Sequence, residues 1–281
     1  MIMAFVFLEH DGMDPLLPHQ VWVAFGVTFL AGLATVLGGA LVLFFKKPSY
    51  RILSFGLAFS AGAMIYISLT EILNKSIHSF SQAFNDKTGY ALGTFSLLLG
   101  VILVLILDRC IPNPHETIEE QSSHGINQQQ LLRTGLLTLF AITAHNFPEG
   151  LATFFATLES PALGAPLAVA IGIHNIPEGI AIALPVYMAT QKKSAALIAS
   201  FVSGLAEPLG AMIGYFILAP YLSFSVYGAV FGMIGGVMVY LALDELLPTA
   251  KKYAQGHETV YGLVTGMACL ALSLVLFKFV S

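Results

Sequence analysis

Charged residues make up only 10% of this 281-residue chain, against roughly 25% in a soluble globular protein. The 12 Lys and Arg do not outnumber the 16 Asp and Glu. No basic surplus is left to grip a phosphate backbone, which excludes nucleic acid as a partner. The formal net charge of −4 is too small to imply a polyelectrolyte partner. Cysteine is nearly absent. Cys110 and Cys269 each lie in or at the end of an apolar run, so neither a disulfide framework nor a thiolate metal site is expected. Hydrophobic residues fill 57% of the chain and the mean hydropathy is +0.81. Those figures exclude disorder and an ordinary cytosolic enzyme. They describe one polytopic membrane domain over 1–281, whose first partner is the lipid bilayer.

Eight apolar runs approach the ~20 residues that a helix needs to cross a bilayer. They are Val21–Phe45, Ile52–Leu73, Tyr90–Leu107, Leu131–Leu158, Pro166–Met188, Ala195–Leu218, Val226–Leu247 and Tyr261–Phe279. Met1–Leu8 is too short for a signal core and lacks a basic flank, so no cleaved leader is expected. With the N-terminus outside, the inner loops hold Lys46, Lys47, Arg51, Arg109, Arg133, Lys192, Lys193, Lys251 and Lys252, and the outer side holds Lys75, Lys87 and Lys278. Nine against three places both termini on the outer face. The connection 108–130 is then a cytoplasmic loop, rich in Asn, Gln, Ser, Glu and Pro. Its His115 and His124 either collect metal or are simply solvated.

The apolar runs repeat. Gly62, Met64, Tyr66, Leu69, Glu71 and Leu73 of span 2 match Gly236, Met238, Tyr240, Leu243, Glu245 and Leu247 of span 7 at one constant offset. Gly32-Leu33-Ala34 with Leu37-Gly38 in span 1 matches Gly204-Leu205-Ala206 with Leu209-Gly210 in span 6. Tyr90, Leu92 and Thr94 of span 3 match Tyr261, Leu263 and Thr265 of span 8. Spans five apart cross in opposite directions, so these are inverted-topology repeats, a construction that secondary transporters place around a midplane site.

Between the repeats, spans 4 and 5 repeat each other: His145-Asn146-Phe147-Pro148-Glu149-Gly150 and His174-Asn175-Ile176-Pro177-Glu178-Gly179. On a helix, His and Glu four residues apart share a face. Each Pro deprives the carbonyl four residues back of its donor and bends the chain locally. Span 6 adds Glu207-Pro208, with Glu207 standing where span 1 has Thr35. A charged residue at mid-membrane depth costs roughly 2.5–3.5 kcal/mol on insertion scales, and no Lys or Arg lies at that depth. A bound cation or protons must compensate. Imidazoles, carboxylates and Asn amides suit a divalent metal of borderline hardness: Zn2+, with Fe2+, Mn2+, Co2+ or Cd2+ as alternatives, and no organic cofactor. Glu149 and Glu178 are the natural bridges of a two-metal site. Glu71, near the outer end of span 2, and Asp244 and Glu245, near the inner end of span 7, either mark mouths through which metal comes and goes or are interfacial helix-end carboxylates.

The paired His-Asn-x-Pro-Glu-Gly motifs, together with Ser203-Gly204-Leu205-Ala206-Glu207-Pro208, resemble the ZIP (ZRT/IRT-like) metal transporters, and within them the bacterial ZupT-type branch. Lys47-Pro48-Ser49 and Asp244-Glu245-Leu246-Leu247-Pro248 look like that branch as well. The resemblance implies an all-α membrane fold of eight transmembrane helices in a 3+2+3 arrangement. Spans 1–3 and 6–8 would be the inverted repeats around the central pair, spans 4 and 5. It also implies a homodimer in the cell membrane that moves divalent metal into the cytoplasm. His145, Glu149, His174 and Glu178 would form one metal site; Asn146, Asn175 and Glu207, with the bridging glutamates, would form the second. An elevator movement of spans 1, 4, 5 and 6 against 2, 3, 7 and 8 is implied too. Many eukaryotic relatives are richer in His in span 5, and the neutral Asn175 here implies a weaker second metal and a choice of metal broader than zinc. An intramembrane metalloenzyme is the rival reading, but no His-Glu-x-x-His or His-rich box is present. A metal-selective channel and a metal sensor are the other rivals.

Overall fold

Runs of Leu, Ala, Ile, Val and Phe that lie in lipid must satisfy their own backbone groups, and a helix does so within one segment. In the structure, a computed structural model that describes residues 18–44, 49–110 and 128–280, every regular element is helical. The chain runs through α1 (Pro18–Val42), α2 (Tyr50–Ile67), α3 (Leu73–Ala83), α4 (Asp86–Cys110), α5 (Gln128–Glu159) and α6 (Pro161–Thr190). It continues through α7 (Lys193–Gly204), α8 (Ala206–Leu218), α9 (Phe224–Leu241), α10 (Leu247–Tyr253) and α11 (Glu258–Val280). Among the described residues, seven helical segments are long and apolar enough to cross a membrane. The fourth predicted span lies on the 32-residue α5. Helix covers both ends of the expected 108–130 loop, through Cys110 and from Gln128. His115, His124 and the Met1–Leu8 segment lie outside the described residues.

Three spans differ from the sequence expectation. Span 2 continues to Ala83 because α3 is amphipathic: it exposes Asn74 and His78 and buries Ser76, Ser79 and Phe80, so hydropathy fades before the helix ends. Span 7 likewise runs on to Tyr253. Each of these spans contains one π-helical turn, Ser68–Ile72 and Ala242–Leu246, where Leu73 N bonds Ser68 O and Leu247 N bonds Ala242 O. The two turns coincide under the repeat offset that pairs Glu71 with Glu245. Span 6 is broken: α7 ends at Gly204 and α8 starts at Ala206. The break sets Pro208 in the first turn of α8, where a missing N–H costs nothing.

Contacts between spans come in matched pairs. Span 2 packs along span 8 (α2 on α11), and span 7 along span 3 (α9 on α4). A Cβ on Gly62 would overlap the Leu263 carbonyl, and one on Gly236 the Leu97 carbonyl. A Cβ on Gly32 would strike the Gly204 carbonyl, and one on Gly204 the Gly32 carbonyl. The same reciprocity sets Gly38 against Ile176 O and Gly210 against Phe147 O, then Gly179 against Thr35 O and Gly150 against Glu207 O. Missing side chains let four backbones meet where spans 1, 4, 5 and 6 converge. That convergence positions the polar residues.

Candidate metal centre

α5 and α6 deliver the duplicated motif. Pro148 lies inside α5 and Pro177 inside α6, each between its Asn and its Glu. His145, Asn146, Glu149, His174, Asn175, Glu178 and Glu207 are all essentially inaccessible to solvent, none above 1% exposed. Ligand atoms of Glu149, His174 and Glu178 lie within 4.8 Å of one another. His174 Nε2 stands 3.2 Å from Glu149 Oε1, and His174 Nδ1 stands 3.2 Å from the Ala170 carbonyl. A carbonyl only accepts, so Nδ1 carries the hydrogen and Nε2 turns its lone pair toward a carboxylate. Two lone pairs that face each other need a proton or a metal ion between them. With metal–ligand bonds of about 2.0–2.1 Å, tetrahedral ligand atoms lie about 3.3 Å apart, so the observed separation, that of a hydrogen bond, would also suit two ligands of one ion. Ser60 of span 2 donates to the His174 carbonyl at 3.0 Å, which ties the motif to a neighbouring span.

The second group is built on the asparagines. Asn175 Nδ2 donates to Ala31 O at 3.0 Å and to Glu207 Oε1 at 2.5 Å. Asn146 Nδ2 donates to Ser203 O at 3.1 Å and to Ser203 Oγ at 3.2 Å. The N–H groups are therefore occupied, while Oδ1 of both amides has no hydrogen-bond partner. Glu149 Oε2, Glu207 Oε2 and both carboxylate oxygens of Glu178 are also without one. Each unsatisfied buried polar group costs about 1–3 kcal/mol, and more when charged. No Lys or Arg occurs in α6 or in α5 beyond Arg133. The charge of these bare oxygens has no other fixed cation on either helix to offset it. Glu207, in the first turn of α8, also faces the positive end of that helix.

The structure does not bring the three remaining candidates into this centre. Glu71 lies half-buried in one π-turn; Asp244, exposed, and Glu245, half-buried, lie in the other. Sequence reasoning missed Ser203, Ser60 and the Ala31 and Ala170 carbonyls. Ser203 had a signal, since it precedes Glu207 by one turn. The carbonyls had none. Beyond Glu149, α5 is sealed by rings. Phe154 packs on Phe25 at 4.6 Å and on Tyr215 at 5.6 Å, and Phe155 meets Tyr227 edge-on at 5.8 Å.

Over residues 112–274 the sequence matches the family described as "ZIP Zinc transporter". The chain belongs to the ZIP family. A protein named zinc transporter ZupT from Stenotrophomonas maltophilia is 61% identical over 93% of this chain and 98% of its own length. One of the same name from Xanthomonas axonopodis pv. citri is 63% identical over 93% of this chain and 97% of its own. A third, from Streptococcus mutans, is 45% identical over 92% and 99%. ZIP membership thus covers the segment that holds both motifs and Glu207, and the similarity to these relatives runs through nearly all of the chain.

Proposed function

We propose that this ZIP protein is a carrier that moves divalent metal ions into the cytoplasm, zinc foremost, with Fe2+, Mn2+, Co2+ and Cd2+ as further substrates. The observation that supports the reading most is the buried set of carboxylate and amide oxygens with no fixed counter-ion. The ion's own charge offsets their desolvation, and the site holds it only as long as that balance favours binding. His145, Glu149, His174 and Glu178 form the first metal site. Asn146, Asn175 and Glu207, with the shared glutamates, form the second. Imidazole and carboxylate without thiolate favour borderline divalent ions over Cu(I). Zinc comes first because the relatives are named for it.

The matched glycine and asparagine contacts support a 3+2+3 arrangement, in which spans 1–3 and 6–8 are inverted copies about an axis through the centre. Lys and Arg placement supports termini on the outer face of the cell membrane. In that orientation the aromatic seal around Phe154 and Phe155 closes the outer side. A closed side favours alternating access over an open channel. Spans 1, 4, 5 and 6 then move against 2, 3, 7 and 8, each chain within a homodimer. Glu71 lies at the outer mouth, and Asp244 and Glu245 at the inner one. A metalloenzyme is set aside, because the ZIP relatives are named as transporters.

Uptake of Zn2+ into proteoliposomes tests the proposal. Glu149→Ala and His174→Ala are each expected to reduce saturable uptake at least about tenfold, in keeping with the loss of a direct ligand. Uptake equal to wild type in either variant would refute the site. Parallel series with Fe2+, Mn2+, Co2+ and Cd2+ set the substrate range.

A further inference from the structure

The two asparagines are held in different ways, although they occupy equivalent positions. Asn175 gives one N–H to the Ala31 carbonyl and the other to Glu207, itself a proposed ligand. Asn146 gives both to a single residue, Ser203, at its carbonyl and its hydroxyl. Ala31 stands at the repeat position of Ser203, so the hydroxyl has no counterpart in the other half. The break in span 6 makes this possible. Ser203 lies next to the last residue of α7, where helix ends leave carbonyls open to outside donors, and its carbonyl faces the Leu205 cap N–H as well as the Asn146 amide. Both Asn146 and Ser203 are fully buried. The carbonyl and the hydroxyl together hold the NH2 side of the amide, so Oδ1 points away from Ser203 and has no hydrogen-bond partner.

We infer that Ser203 is the positioning residue for Asn146, locking its amide so that Oδ1 faces the second metal ion before that ion arrives. The inference rests on the reading of Asn146 as a ligand of that ion. The consequence is an unequal pair. Asn175 is tethered to Glu207 and shifts with that carboxylate when metal binds. Asn146 is tethered to a group that binds no metal, so it is preorganised. Groups that orient metal ligands typically contribute 10–100-fold to metal affinity. The effect is expected on the second ion, because the side-chain hydrogen bonds that reach Ser203 come from Asn146.

Ser203→Thr and Ser203→Val separate the hydroxyl from the shape, since the two side chains share a volume and differ in the oxygen. The full chain in detergent is titrated with Zn2+ by equilibrium dialysis, with bound metal counted by mass spectrometry and melting temperature followed alongside. Ser203→Val is expected to weaken the second ion about tenfold or more, to leave the first within about twofold, and to melt with Ser203→Thr. Ser203→Thr keeps both affinities. Equal affinities in the two variants overturn the inference; if Asn146→Ala still weakens the second ion, the two-metal reading stands without it. Weakening of both ions together, with a lower melting temperature, shows a structural role and overturns it as well. An unaffected Asn146→Ala, or a wild-type chain that binds a single ion, overturns the inference and the second site at once.

Discussion

Glu178 is the residue at which removing a charge is expected to make the empty protein more stable. It is fully buried, and neither of its carboxylate oxygens has a hydrogen-bond partner. Its substitution by Gln keeps the shape, deletes one of three buried carboxylates, and supplies two N–H donors beside the bare oxygens of Glu149 and Glu207. A charge at this depth costs roughly 2.5–3.5 kcal/mol, so relief of about 1–3 kcal/mol is expected at pH 8 without metal. Each kcal/mol moves the melting midpoint by about 2–4 °C for a chain near this size. Zinc works against that order. At a free concentration of 100 times Kd, wild type gains about 2.7 kcal/mol by mass action. If the lost ligand weakens binding about 100-fold, the variant gains only about 0.4 kcal/mol at the same concentration. Between melting curves taken without and with zinc, the gap should therefore move by about 2.3 kcal/mol in favour of wild type. A Glu178→Gln variant that melts below wild type in the absence of metal would refute the argument that this carboxylate is uncompensated.

Other outcomes follow from the same geometry. Protons compete with metal for imidazole and carboxylate, so the apparent KM for Zn2+ uptake is expected to rise as pH falls from 7.5 to 5.5, and a lower KM in acid would contradict the ligand set. Gly150→Ala and Gly179→Ala place a methyl on the carbonyls of Glu207 and Thr35 and should destabilise by about 1–3 kcal/mol, whereas Gly26→Ala, which meets nothing within 4 Å, should be neutral in the same denaturation assay. Ser60→Ala deletes a buried hydroxyl that bridges span 2 to the His174 carbonyl. It should cost about 0.5–1.5 kcal/mol and speed exchange between conformations, read as a higher uptake rate at saturating zinc.

How much of this was visible in the residues depends on what each feature needs. The seven polar residues of the centre announced themselves because polar side chains at regular spacing inside apolar runs have few other reasons to be there. The matching residues of spans 1–3 and 6–8 were visible in the sequence, and glycines at matched positions make matched contacts. The break at Leu205 was not visible, because Ala195–Leu218 is evenly apolar and only Pro208 hints at a discontinuity. Nor was the continuation through Asn74, Lys75 and His78, where the amphipathic α3 leaves the hydropathy scale but not the helix. Ser203's part depends on a partner 57 positions away, and such a pairing has no local signature.

The two π-helical turns set the direction that the helix after each of them presents to its neighbours. One surplus residue in a turn rotates everything after it by about 100°, the step between neighbours on a helix. Without the turn at Ser68–Ile72, Ser76 would not face span 7, where its hydroxyl donates to the Gly228 carbonyl at 2.6 Å. Without the turn at Ala242–Leu246, the buried edge of α10, Ala250 and Tyr253, would swing away and unstack Tyr253 from Tyr50. Deleting a single residue from either turn would therefore re-aim a whole helix end while leaving the polar centre's own sequence untouched. The winding of spans 2 and 7 is held in register by one surplus residue in each.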